Sequence, residues 1–455
     1  IVSIQPPVDV PLQFGAHLGA SSVWLTLIVS LLTAFLFGLV PALETARKDV
    51  APFLASGRNV GSRPAHRLRH MLVGGQVAAS LLLLVGAGLA LRSLQELRQV
   101  DVGFDPDNQL VVRLDRGGGG YDQARGRVFY RDLKERLLEV TGIQTVGLSK
   151  RVPLNFDRSI ALVWPEGWES PNGRPLSISR NLVDEGYFQA MQVPLLSGRN
   201  FNYFETRESS GVMVVNEEFA TRYWPGENAV GKRVRLTNQV DGPVYEVVGV
   251  AATGKYQSLG EDPEPYFYRS FNQLYDGAMC VHVRTVGDPT PYSGEVRRIV
   301  AALDPGLALS RLTTMTDQLR FALLPSRLIA WSVLAFAGAA LLLTAIGLYG
   351  LIAYTVALQT HEIGIRMAVG AGRGALVVQV LGRILKHAAV GLFIGSGLAV
   401  LGSVFVSRVL YGLAPLDPIA LGGALVLLCA AAILAGYVPA RRATRIDPVA
   451  ALNRE

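Results

Sequence analysis

The chain has 455 residues, of which 50% are hydrophobic and only 17% charged, with a net charge of +7 and mean hydropathy +0.31. Soluble domains carry about 25% charged residues, so this composition excludes an ordinary soluble enzyme and points to a membrane protein. The basic excess lies beside apolar stretches, where it suits anionic lipid headgroups, and nucleic-acid binding is not expected.

The chain begins at Ile1 rather than Met, and reads as a piece of a longer protein or a processed one. A bilayer core needs roughly 20 apolar residues in a helix. Five stretches without Asp, Glu, Lys or Arg meet that need: Val23–Val40, Met71–Leu91, Leu328–Val356, Ala388–Val406 and Pro418–Val438. Short loops rich in Lys and Arg stay cytoplasmic. Pro41–His70, Ala357–His387 and the tail Pro439–Glu455 together hold fourteen Lys and Arg, against the single Arg408 in Ile1–Ser22 and Ser407–Asp417. With the five spans alternating, the long segment between Met71–Leu91 and Leu328–Val356 is expected outside the cytoplasm.

An internal repeat joins two span ends. Gly38, Val40, Pro41, Ala42, Arg47, Asp49 and Leu54 recur 398 residues later as Gly436, Val438, Pro439, Ala440, Arg445, Asp447 and Leu452. In each copy the span is expected to end at Pro, which removes a helical hydrogen bond. The repeat divides the chain. Residues 1–54 read as the last helix and cytoplasmic end of a preceding module. Residues 55–91 read as a linker and the first helix of a complete module, 92–327 as its extracytoplasmic domain, and 328–455 as three further spans with a basic tail.

The outer domain reads as α/β. Gln109–Leu114 alternates like a strand, Tyr121–Val140 presents Val128, Leu133, Leu137 and Val140 as a helical face, and Ile143–Leu148 is the next strand. Met279–Arg284, Gly294–Leu303 and Leu307–Leu312 repeat the strand, helix, strand order. Between these two β-α-β units lie the short strands Val212–Val215, Val234–Leu236 and Val244–Val250, which read as a strand-rich insertion. Pro-rich joints at Arg151–Pro153, Pro171–Pro175 and Asp262–Pro265 are expected at its edges.

Catalytic and cofactor motifs are not found. Gly226-Glu-Asn-Ala-Val-Gly231-Lys232 lacks the Ser or Thr that a phosphate-binding loop places after its Lys, and reads as a turn. The six His and the two Cys, Cys280 and Cys429, show no metal-ligand spacing. Glu261, Asp262 and Glu264 are close together but surround prolines. No cofactor is expected.

One cytoplasmic segment stands apart: Glu362, Ile363, Gly364, Ile365, Arg366, Met367, Ala368, Val369, Gly370 and Ala371. It follows the longest span and precedes an amphipathic stretch carrying Val377, Leu381, Ile384 and Leu385. Such a segment suits a lipid surface or a groove of a cytoplasmic partner. It also resembles the motif after the second membrane helix of the MacB/FtsX family of ABC transporter permeases. Asp184-Glu-Gly-Tyr-Phe188, Pro194-Leu-Leu-Ser-Gly198-Arg199-Asn-Phe201, Val214-Val-Asn216-Glu217, Tyr223-Trp-Pro-Gly226, Val247-Val-Gly249 and Pro439-Ala-Arg-Arg-Ala443 resemble further signatures of that family in the same order. Gln359 and His361 stand where the family often has Arg.

The resemblance implies an α-helical transmembrane bundle carrying a porter-like, split β-α-β domain with a strand-rich insertion. It implies a permease of the mechanotransmission type in a bacterial inner membrane. A cytoplasmic ABC ATPase would bind Glu362–Ala371, and ATPase activity would belong to that partner. A second permease module, in the same longer chain or as a dimer partner, and a periplasmic adaptor are the other implied partners. Two functions stay open: export of cargo, or a transmembrane relay controlling an envelope enzyme.

Overall fold

The computed structural model describes residues 24, 28, 63–114, 123–155, 157–170, 172–236, 242–307, 309–358, 365, 372–406 and 417–443. The chain divides into two units, 1–75 and 76–455. In the first, Trp24 and Ile28 are helical and exposed, and a helix begins at Arg63. The expected span Val23–Val40 otherwise lies outside the described residues, as does Pro41.

Three long apolar helices are present among the described residues. Helix α1 (Arg63–Leu97) contains the candidate span Met71–Leu97 and runs unbroken past its last wholly apolar stretch through Arg92 and Glu96. Two others, Leu324–Leu358 and Pro418–Ala443, contain the candidate spans Leu324–Val356 and Pro418–Pro439. A further long helix, Arg373–Val406, contains the shorter apolar stretch Ala389–Gly402. The candidate span ends at Pro439, as expected, while the helix itself continues to Ala443 with Pro439 inside it. Pro removes one backbone bond and crowds the preceding turn. Four residues from the helix end, little helix remains to be disturbed.

The outer segment begins with β1 (Gln109–Leu114), α2 (Gln123–Leu138) and β2 (Ile143–Ser149). It ends with β10 (Met279–Thr285), a helix at Ser293–Leu303 and β11 (Leu309–Thr314). These four strands are ordered β11-β1-β10-β2, with β10 antiparallel to both its neighbours and β1 antiparallel to β11. Strand period two sorts their side chains. Leu110, Val112, Leu114, Met279, Val281 and Val283 pack against α2 and the Ser293–Leu303 helix. Val111 and Cys280 join a second core on the other face. The buried face of α2 is Gly126, Phe129, Tyr130, Leu133 and Leu137, whereas Val128 is 45% exposed. The two aromatic rings bury more area than Val128 offers, and they set the helix rotation.

Between β2 and β10 lie β3 (Ile160–Pro165), β4 (Leu176–Val183), α3 (Tyr187–Met191), β5 (Leu195–Gly198), β6 (Val212–Asn216), α4 (Glu217–Tyr223), β7 (Arg233–Leu236), β8 (Val244–Ala251) and β9 (Tyr266–Ser270). Strands β4-β3-β7-β8-β6-β9 are paired in sequence, and β9 then pairs in parallel with β4, from Ser179↔Tyr266 to Val183↔Ser270. The insertion is therefore a six-stranded closed barrel. Closure satisfies the backbone groups that open edges would expose. Its interior holds Val163, Ile178, Met213, Val215, Val247 and Phe267, with Phe219 of α4 packed among them. The Pro171–Pro175 joint falls, in its described part, between β3 and β4 inside the barrel rather than at an edge, because β4 is a barrel strand absent from the expected set. Strand β11 starts at Leu309, two residues later than expected.

Continuing the numbering, α5 is Ser293–Leu303, α6 Met315–Ala322, α7 Leu324–Leu358, α8 Arg373–Val406 and α9 Pro418–Ala443.

Candidate functional site

Of the expected coupling segment, Ile365 is helical and 44% exposed. Glu362, Ile363, Gly364, Arg366, Met367, Ala368, Val369, Gly370 and Ala371 lie outside the described residues. The site that can be built atom by atom is where the membrane helices meet the outer domain.

The ends of both helices lead into one core. Ala90, Leu94 and Leu97 of α1 and Ala330 of α7 belong to the same buried cluster as Val102, Phe104, Leu154, Tyr187, Phe188 and Tyr268. Protein interiors are close-packed and transmit displacement, so the helix ends and the domain core share one continuous packing. The segment following α1 is fixed by Arg284 of β10, whose side chain is 4% exposed. Its guanidinium donates to the Asp105 carboxylate at 3.0 Å and to the carbonyls of Asp105 at 2.7 Å, Asp107 at 3.0 Å and Ala190 at 2.7 Å. A planar fork of donors is what this set of acceptors requires. Ahead of α7, Thr314 caps α6 by accepting from the Asp317 N–H at 3.1 Å, and its hydroxyl donates to the Asp317 carboxylate at 2.8 Å. Gln318 reaches from α6 to Leu154 and Asn155.

The helices are tied to one another near the same end. Arg92 of α1 pairs with Asp417, whose carboxylate also accepts from the backbone N–H groups of Ile419 and Ala420 at 2.9 Å. Pro418 then occupies a helix start, where its missing N–H costs nothing. A Cβ on Gly88 would lie 3.1 Å from that of Ala420, and one on Gly395 would lie 2.9 Å from the Ala78 backbone. Small residues permit this approach of helices within a membrane. Deeper in α1, the hydroxyl of Ser80, 1% exposed, lies 2.6 Å from that of Thr344 and 3.1 Å from the Ala340 carbonyl.

Charged and polar groups also hold the domain interior. Lys134 of α2 donates to Glu185 at 2.6 Å and pairs with Asp184, whose carboxylate accepts from Leu148 N–H at 2.7 Å. Burial opposes the charge on Lys134, but the two carboxylates outweigh it and hold the ammonium above its ordinary pKa. His282, fully buried, is pushed down to about 3 by desolvation. The Ser149 hydroxyl donates to the Arg151 carbonyl at 2.8 Å and lies 2.7 Å from His282 Nε2. His282 Nε2–H therefore donates to Ser149, while Nδ1 faces the Gln109 amide at 3.4 Å. The neutral ring satisfies this arrangement and a charged one would not.

Other residues singled out in the sequence have structural partners. Gly226 and Gly231 adopt positive φ in a turn, and Lys232 pairs with Glu227 at 2.5 Å. Glu261 accepts from the N–H groups of Tyr256, Gln257 and Ser258 and so closes a loop. Arg92, Asp417, Ser80, Thr344 and Arg284 were not among the sequence candidates. Arg92 and Asp417 flank two spans, and Ser80 and Thr344 are hydroxyls within apolar helices, so position alone flags them. Nothing in the neighbourhood of Arg284 distinguishes it from any other strand residue.

The family model of the MacB-like periplasmic core domain matches residues 72–314, and that of the FtsX-like permease C-terminal region matches 334–448. A macrolide export ATP-binding/permease protein MacB of Sodalis glossinidius is 25% identical over 412 residues, covering 86% of this chain and 59% of the relative. A pyoverdine export ATP-binding/permease protein PvdT of Pseudomonas fluorescens is 25% identical over 287 residues, covering 60% of this chain and 42% of the relative. The chain thus spans about half the length of the curated relatives it matches. The crystal structure of the periplasmic region of MacB from Actinobacillus actinomycetemcomitans aligns with 50% of this chain and 97% of that one, at 16% identity and a TM-score of 0.34.

Proposed function

The chain belongs to the family of membrane permeases that combine a MacB-like periplasmic core domain with an FtsX-like permease region, and from that premise we propose that it couples ATP hydrolysis in the cytoplasm to movement of its outer domain, for export. The observation that carries this reading is the single buried core shared by α1, α7 and the outer domain. A helix displaced at its cytoplasmic end would move Leu94 and Leu97, and with them Phe188 and Tyr268, because a packed core has little free volume to absorb the shift. Arg284 would carry the same displacement into β10.

In this reading five spans cross a bacterial inner membrane, and residues 92–327 work outside the cytoplasm as a porter-like domain. Glu362–Ala371 receives the force from an ABC ATPase. The residues of this chain perform no chemistry; they hold and transmit. A second permease module, joined in a longer chain or as a dimer partner, completes the pathway, and a periplasmic adaptor receives the outer domain. The names of the relatives support export.

Purification of the full-length protein from its own membranes tests the assembly. An ABC ATPase should co-purify, and stimulation of its turnover by the chain should require intact membrane insertion. Recovery of the chain with an envelope hydrolase and no transported cargo would replace export with the relay.

A further inference from the structure

The mouth of the barrel holds two guanidinium groups, Arg180 and Arg269, that no carboxylate among the described residues pairs with. On β4, Arg180 follows the lumen residue Ile178 by two, and on β9, Arg269 follows the lumen residue Phe267 by two. Strand period two therefore aims both guanidinium groups along the lumen side. The pairing of β4 with β9 makes them diagonal neighbours, since Arg180 opposes Phe267 and Leu182 opposes Arg269. Arg269 is only 8% exposed, lies 4.2 Å over the Tyr245 ring, donates to the Tyr245 hydroxyl, and leaves its buried Nε without a hydrogen-bond partner.

Arg180 and Arg269 open onto a cavity of about 260 Å³ that Lys150 and Arg151 also line. Among the described residues Asp276 is the one acid in that lining, and it is engaged by Lys150. Arg151 pairs with Asp157, yet its Nε too is buried without a partner. Among the described residues no carboxylate pairs with Arg180 or Arg269. Buried cations are ordinarily paired, since desolvation of an unpaired charge is costly. Burial, and then Arg180, pull Arg269 down to about 10, against the effect of Tyr245. Burial, and then Arg151, lower Arg180.

We propose that this cavity binds a compact anion, a carboxylate or phosphate group on a small ligand, held by Arg180 and Arg269 with Arg151 and Lys150 around it. Guanidinium forks match the oxygen geometry of both anions, and Leu182, Leu274 and Tyr275 supply an apolar wall for a short carbon body. The barrel joins the α/β layer beside this mouth, through Ser149↔Val183. A ligand there would cross-brace the two parts of the outer domain. Such binding is independent of whether the chain exports cargo.

The test uses the full chain in dodecyl maltoside, titrated calorimetrically at constant ionic strength with sodium phosphate and, separately, with sodium succinate. Saturable binding of one anion per chain is expected for at least one probe, and the probe that binds identifies the group. Arg180→Gln should weaken it at least about tenfold, while Arg297→Gln, on the exposed face of α5, should leave it unchanged. Arg269→Gln should do the same as Arg180→Gln; if it fails to fold, the half-buried Arg180 still decides the matter. No saturable binding of either probe, or equal binding by Arg180→Gln, would overturn the proposal.

Discussion

One carboxylate oxygen of Asp417 caps α9 while the other holds Arg92 of α1, so a single side chain both starts one membrane helix and fastens it to another. The two roles separate by substitution. Asp417→Asn keeps an acceptor for the cap but loses the ion pair; since the Asp417 carboxylate is 7% exposed, the cost should exceed the roughly 1 kcal/mol of surface pairs. Asp417→Ala loses the cap as well and should cost about 1 kcal/mol more. Thermal unfolding of the detergent-solubilised chain, ranking wild type above Asn above Ala, checks the order. Equal melting of Asn and Ala would show that the cap contributes nothing.

Arg284 offers a sharper test of the junction. Arg284→Lys keeps the charge but cannot serve four separate acceptors, which leaves buried carbonyls of Asp105, Asp107 or Ala190 unpaired. The cost should be about 2–3 kcal/mol. Hydrogen exchange should rise first in residues 101–108, between α1 and β1, rather than across the barrel. Uniform protection loss would mean that Arg284 supports the domain generally and not the junction.

The pH dependence of the outer domain should follow His282. Its folded pKa, about 3, lies below its unfolded value, so as pH falls the unfolded chain takes up the proton first. Stability is therefore fully present above about pH 6.5 and declines as pH falls toward 3, by up to about 1.4 kcal/mol per unit. Between pH 6.5 and 4.5, His282→Gln should melt lower than wild type at neutral pH but with a flatter slope. Parallel slopes in the two proteins would place the dependence on other groups.

The sequence was most legible where one period rules. Apolar runs marked α1, α7 and α9, and strand alternation located β1 to the residue, because each element buries a face that composition alone defines. Strands β3, β4, β5 and β9 were illegible. Leu176–Val183 carries Ser177, Ser179, Arg180 and Asn181, a polar run without clean apolar alternation, and it becomes a strand between β3 and β9. Pairing between strands about ninety residues apart leaves no local trace. The same holds for the candidate site. The helix ends could be expected, but that Arg284 fixes Asp105 depends on β10 lying beside β1.

The arrangement of the membrane can be tested directly. With Cys280 buried, a cysteine at the exposed Asn202 should react with an impermeant maleimide in intact cells, and one at Ser62 only after lysis. The basic residues of Pro41–His70 predict that order. Labelling of position 62 and not 202 would invert the whole topology.

In the proposed coupling, force enters at Glu362–Ala371 and leaves through the outer domain. Glu362 and Arg366 are four residues apart, a helical spacing worth only about 0.2–0.5 kcal/mol as a pair, so reversing both charges should leave insertion and abundance intact. The decisive measurement is ATP turnover by the co-purified ATPase with the wild-type chain and with the Glu362→Lys, Arg366→Glu double variant in the same lipids. Stimulation should disappear in the variant while its melting temperature stays within a few degrees of wild type. Undiminished stimulation by a fully inserted double variant would contradict coupling through this segment.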